Sequence, residues 1–156
     1  MKLHEVVLKN FRPFAQETRI AVDDFTAIIG KNDVGKSSVL EALEVFFNEE
    51  LVKIDSDDAT KGTNESCLWV GCAFSDAPQS IVIDEDARTT LAEEYLLNAD
   101  GNLEIIRVFD CAAKKITGST YARAMHPSAD QCSDLLSLRI CLKTTHIVAA
   151  ADARRQ

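Results

Sequence analysis

Residues 2–8 form an apolar-rich, β-compatible run. After the turn sequence Asn10-Phe11-Arg12-Pro13-Phe14, residues 17–22 alternate in polarity. The two runs predict an antiparallel strand pair. Asp23-Asp24 then turns the chain into residues 25–29, Phe-Thr-Ala-Ile-Ile, which are apolar on both faces, as in a strand buried inside a sheet. From Lys36 to Phe47 the apolar residues Val39, Leu40, Leu43, Phe46 and Phe47 recur at spacings of three and four, with Glu41 and Glu44 opposite. This is the period of an amphipathic helix with those five side chains on its inner face.

Beyond the helix the pattern becomes acidic, then β-rich. Glu41, Glu44, Glu49, Glu50, Asp55, Asp57 and Asp58 stand against Lys53 alone, and residues 55–66 read as a polar loop. Residues 67–74 predict a strand, and 84–97 carry helical spacing in Ala87, Leu91, Tyr95 and Leu96. After the turn Asn98-Ala99-Asp100-Gly101, residues 103–110 predict a strand that pairs with 119–125 across Lys114-Lys115 and Gly118. Residues 128–143 follow Pro127 as a predicted helix. The β-rich region thus spans about residues 67–125.

Composition narrows the class. The chain has 156 residues, 46% of them hydrophobic and 27% charged, enough for a packed core in a single domain. No stretch approaches the roughly 20 apolar residues of a membrane helix. Five irregularly spaced cysteines fit a reducing compartment, and Glu5 stands where a signal peptide would begin its apolar run, so the cytoplasm is the expected location. A net charge of -8 argues against a surface that grips nucleic acid throughout, so DNA contacts are expected outside this chain. The cysteines, including Cys67 and Cys72 on one strand, read as small core residues. Trp69 reads as core, and His4, His126 and His146 lack partners at metal-ligand spacing.

The chemistry is concentrated in Gly30-Lys31-Asn32-Asp33-Val34-Gly35-Lys36-Ser37, which has the spacing G-x-x-x-x-G-K-[ST] of a phosphate-binding loop. Two glycines, a lysine and a Ser/Thr at these offsets arise by chance in under about 1% of chains this long, so an ordinary glycine-rich turn is the weaker reading. A loop of this length wraps its backbone N–H groups around phosphates, and the glycines permit close approach. Lys36 can reach the β and γ phosphates, Ser37 can ligate Mg²⁺, and the helix starting there turns its positive end to the anion. Asp33 is tolerable because Asn and Asp enter positive φ more readily than other non-glycine residues. No Asn-Lys-x-Asp guanine reader is present, so ATP is the expected nucleotide.

The stretches "LKNFRPF" and "DFTAIIGKNDVGKSSVLEAL" resemble the N-terminal part of ABC-type ATPase heads of the RecF, SMC and OLD nuclease group. "LLNADGNLEIIRVFDC" and "DLLSLR" are similar to OLD-like, AAA-type ATP-binding heads, and Asp33 in place of the usual glycine favours the OLD side. The resemblance implies an α/β P-loop NTPase with a mixed sheet, an N-terminal antiparallel strand pair and only the first lobe of a head across residues 1–156. It implies ATP phosphate contacts from Arg12, Gly30, Lys31, Asn32, Asp33, Val34, Gly35, Lys36, Ser37 and Ser38, with Mg²⁺ on Ser37. It also implies homodimeric heads and an ATP-hydrolysing parent that regulates DNA cleavage through a nuclease domain outside this chain, in anti-phage defence. Two alternatives stay open: an SMC- or RecF-like repair or organising head, and a non-enzymatic nucleotide-binding fragment.

Residues 80–85, Ser-Ile-Val-Ile-Asp-Glu, resemble a Walker B ending. The apolar run is short and no Leu-Ser-Gly-Gly-Gln-like signature precedes it, so Asp84 is read instead as the cap of the helix expected over 84–97. The chain alone then carries no catalytic residue, and hydrolysis is expected only of the longer parent.

Overall fold

The computed structural model describes residues 1–31, 35–47, 52–78, 80–84, 87–94 and 96–124. β1 (Lys2–Lys9) and β2 (Thr18–Ala21) form the expected antiparallel pair, with Glu5 opposite Ala21, Val6 opposite Ile20 and Leu8 opposite Thr18. α1 (Lys36–Phe47) follows. The remaining strands are β3 (Cys67–Ser75), β4 (Ile81–Asp84), β5 (Ala87–Thr89), β6 (Leu103–Asp110) and β7 (Gly118–Ala122). Five of them make one sheet in the order β2-β1-β3-β6-β7, while β4 and β5 pair separately. Asn10, just past β1, bonds the Cys67 carbonyl at the start of β3, and the Cys111 amide, just past β6, donates to Ser66. β1 and β6 therefore both run antiparallel to β3. The expected pairing of 103–110 with 119–125 is present between β6 and β7 as far as Ala122, and residue 125 lies outside the described residues.

The chain divides into two units, Leu3–Ala73 with Ile106–Ser119, and Phe74–Ile105 with the flanking ends of the chain. In the first, α1 lays Val39, Ala42 and Val45 against Val6, Leu8 and Phe11 of the N-terminal hairpin region and Leu68, Val70 and Phe109 of β3 and β6. This face differs from the expected one. Leu40 and Phe47 are more than half exposed, Leu43 and Phe46 only partly buried, and Ser38, Val39, Ala42 and Val45 are covered. The small Ala42 at the centre lets the helix approach the sheet closely, and Glu41 turns toward Arg12. Trp69 is buried, with the Lys9 ammonium 4.8 Å from its ring centroid.

Residues 25–29 do not form the buried strand that their composition predicts. Phe25 is 90% and Ile29 91% exposed, and among the described residues no ladder includes them. Local bonds explain the departure: the Asp23 amide donates to Thr26 Oγ1, that hydroxyl donates to the Asp23 carbonyl, and the Asp24 amide donates to Asp23 Oδ1. Short polar side chains of this kind offer the backbone an alternative to a ladder.

The second unit replaces the helix expected over 84–97. Asp84 closes β4 opposite Ala87 of β5, so it caps no helix. Only a hydrogen-bonded turn remains at residues 91–94, where the Glu94 amide donates to the Thr90 carbonyl at 3.1 Å. The Glu93 amide donates to Thr90 Oγ1, and the Thr90 amide donates to the Glu93 carboxylate. This reciprocal arrangement satisfies orphan amides at a helical start. Because Ala87 is engaged in β5, the pattern cannot continue backwards. The Asn98–Gly101 turn is as expected, with Asn98 Oδ1 accepting from the amides of Asp100 and Asn102 and Gly101 at φ 75°. Glu104 is buried, accepting from Asn98 and Arg123. The predicted helix at 128–143 lies outside the described residues. Among the described residues no helix is long and apolar enough to cross a membrane.

Cys72, fully buried in β3, has its thiol pushed up to about 12 by burial. The thiolate is the nucleophile, so Cys72 is expected to resist iodoacetamide in the native protein at pH 8 and to label fully in denaturant. Peptide mapping after alkylation reads the difference; native labelling of Cys72 would show that β3 opens locally.

Candidate phosphate-binding site

The site grows from the junction of loop and helix. Gly35 precedes α1 at φ 91°, in the left-handed region that favours glycine, and its carbonyl accepts the first helical bond from Val39 at 3.0 Å. A Cβ on Gly35 would lie 2.8 Å from Pro13 Cγ and 2.9 Å from Phe14 Cζ. The turn after β1 therefore forms a wall directly behind the loop. Pro13 and Phe14 are contributors that motif spacing does not reveal, since the motif covers only residues 30–37.

Lys36 folds back over the loop. Its Nζ donates to the Gly30 carbonyl at 2.7 Å and also to the Lys31 carbonyl. Lys31 and the Ser37 side chain are exposed, whereas Ser38 is buried against the helix. The first turn of α1 carries no acid, so its positive end is uncompensated by any side chain of that turn. A groove of about 360 Å³ runs along the loop, walled by Phe14, Ile20, Ile28, Ile29 and Val39, with Gly30, Lys31, Gly35 and Lys36 along its polar side. The described donors suit a phosphate chain: an ammonium held beside the loop by two carbonyls, an exposed hydroxyl and a helix start free of acids. Asn32, Asp33 and Val34 lie outside the described residues.

Arg12 is placed differently from what the resemblance alone suggests. At φ 51°, it bonds Asp58 Oδ1 through Nε at 2.9 Å and pairs through Nη1 with Glu41 on α1. Its amide donates to the Asp58 carbonyl at 2.8 Å, and its carbonyl accepts from Thr60 Oγ1 at 2.8 Å. Burial pulls the guanidinium pKa down, but the bonds to Asp58 and Glu41 outweigh it and raise the pKa above its ordinary value. Asp58 also closes a capping box with Asp55 around the 3-10 turn Ser56–Asp58. The acidic run of the sequence thus has a definite task, for two of its carboxylates hold Arg12. Motif reasoning passed over both. The one available signal was a surplus of acids facing a single nearby arginine.

Comparison with known proteins places this geometry in context. The AAA ATPase domain family matches residues 1–150. Among solved structures, the chain is similar to the SMC head domain from Thermotoga maritima, at 19% identity and a TM-score of 0.46, over 81% of this chain. The match spans 39% of that structure's length. No curated protein matches the chain.

Proposed function

The chain belongs to the AAA ATPase domain family, and from that premise we propose that it is the ATP-binding head of an OLD-like DNA endonuclease whose full-length form hydrolyses ATP. The observation that carries the reading is the glycine-bounded loop entering α1, with Lys36 held over it by loop carbonyls. On this reading Lys36 exchanges those carbonyls for the β and γ phosphates, and the Ser37 hydroxyl becomes a ligand of Mg²⁺. Bound Mg²⁺ supplies charge neutralisation of the phosphates, and the first turn of α1 adds its dipole. The groove walls Ile28, Ile29 and Phe14 offer apolar surface beside the loop. Arg12 reaches a phosphate by giving up Glu41 or Asp58, so nucleotide and carboxylates compete for one guanidinium.

The head is proposed to act in the cytoplasm as a homodimer, with DNA bound and cut by parts of the protein outside this chain, in defence against phage. The test of the shared core is calorimetric titration with Mg-ATP. Wild-type chain is expected to bind one equivalent and Lys36→Ala to bind at least about tenfold more weakly, the loss of a charge-assisted contact. Equal binding by the two proteins would overturn the assignment. The nuclease reading is tested separately by assaying the full-length protein for Mg-dependent DNA cleavage, which an SMC-like organising head would lack.

A further inference from the structure

A second cavity, of about 580 Å³, lies in the same unit but shares no residue with the phosphate loop. Val45 in its wall is nine residues along α1 from Lys36, about 14 Å at the helical rise. Arg107, 5% exposed, donates from Nη1 to the Val45 carbonyl at 2.7 Å. The last turn of α1 has no basic residue of its own, so Arg107 is the cation set at its negative end. Gly118 makes room for it, since a Cβ there would stand 2.8 Å from both Arg107 Nη2 and the Phe109 ring.

Helix capping accounts for Arg107 but not for the rest of the lining. Lys53, from the segment after α1, and Lys114 and Lys115, from the β6–β7 connection, border the same cavity, and the one acid among its lining residues is Asp55. Among the lining side chains four cations thus stand against one carboxylate, in a chain of net charge -8, with Asp58 and Asp110 near enough to act on the Cys111 thiol of the same wall. Two separate segments bring these charges together around an apolar wall of Ile54, Phe109 and Ile116. The volume is within the range of small-ligand sites, about 300–1,000 Å³.

We propose that this cavity binds a small organic phosphate, its dianionic head among Arg107, Lys53 and Lys114-Lys115 and its apolar body against Ile54, Phe109 and Ile116. A dianion matches the surplus of positive charge better than a monocarboxylate, and the apolar wall distinguishes the site from a patch for a free inorganic ion. The site is independent of the ATP reading, because it needs neither Mg²⁺ nor the loop.

The test uses phenyl phosphate as the probe, titrated without Mg²⁺ into the Lys36→Ala chain so that the loop is weakened. One saturable equivalent is expected, with inorganic phosphate weaker and phenol showing no binding. Lys53→Glu and the double variant Lys114→Glu/Lys115→Glu, each melting like the parent, should weaken binding about tenfold or more. Ile116→Trp, which fills the cavity without changing its charge, should remove binding. Absence of saturable binding, or affinity unchanged in the charge variants and in Ile116→Trp, would overturn the proposal. Displacement of the probe by a single-stranded oligonucleotide at lower concentration would also overturn it, assigning the surface to nucleic acid.

Discussion

Gly35→Ala is expected to destabilise the Leu3–Ala73 unit by about 2–5 kcal/mol and to reduce Mg-ATP binding below that of Lys36→Ala. Two costs combine. The backbone at φ 91° disfavours any residue with a Cβ, and the added methyl would sit 2.8 Å from Pro13 Cγ and 2.9 Å from Phe14 Cζ. Pro13 Cγ belongs to a ring closed onto its own backbone and has little room to yield, while Phe14 offers only the far end of its ring and keeps its backbone tied to Phe11 by paired bonds of 2.9 and 3.2 Å. Relief must come from the loop or the start of α1, which moves Lys36 and Ser37 away from a shared phosphate position. Urea unfolding with a fluorescence readout, followed by calorimetry on the folded fraction, separates the two effects. Wild-type stability and affinity together would show that the Pro13–Phe14 wall does not constrain the loop.

The second large effect is expected at Asn10. This side chain is fully buried at φ 51°, donates from Nδ2 to the carbonyls of Glu65 (2.7 Å) and Cys67 (3.2 Å), and accepts from Thr63 Oγ1 at 2.9 Å. Asn10→Ala removes three hydrogen bonds, takes a buried donor from the Glu65 and Cys67 carbonyls, leaves the Thr63 hydroxyl with the Thr60 carbonyl alone, and keeps a positive φ that alanine resists. Losses of this kind sum to about 3–5 kcal/mol. Asn10→Asp retains the acceptor and tolerates the backbone, but brings a carboxylate against two carbonyls, so it should also be destabilising. Thr63→Val, which deletes the bonds from this hydroxyl to Asn10 Oδ1 and to the Thr60 carbonyl, should cost about 1–2 kcal/mol. Equilibrium melts of the three variants rank them, and an Asn10→Ala loss no larger than that of Thr63→Val would refute the network.

The parts legible in the sequence are those that depend on near neighbours. The β1–β2 pair follows from alternation around a turn, the Asn98–Gly101 turn from residue type, and the loop-to-helix junction from glycine and lysine at fixed offsets. What misled was pattern without context. Residues 25–29 are apolar on both faces, yet Asp23 and Thr26 organise the chain locally and leave Phe25 and Ile29 exposed. Ala87 and Leu91 have helical spacing, yet Ala87 pairs across a hairpin with Asp84 and only a single turn forms at residues 91–94. In α1 the period was right and the face rotated: Val39, Leu43 and Phe46 meet the core as expected, while Leu40 and Phe47 give way to Ala42 and Val45, which close packing selects. Least legible were the long-range polar assignments. Arg12 with Glu41 and Asp58, and Arg107 with the end of α1, join residues 29 to 62 positions apart.

The posture of Lys36 also bears on how a phosphate chain would be received. A lysine free in solvent surrenders up to about 2 kcal/mol of rotamer entropy when a ligand immobilises it. Here the stem is already ordered, with its ammonium shared between the carbonyls of Gly30 and Lys31. Binding at this atom is therefore a substitution, two neutral acceptors leaving as anionic ones arrive, rather than the capture of a wandering charge. The loop acts as a placeholder that keeps the cation oriented and ready to transfer.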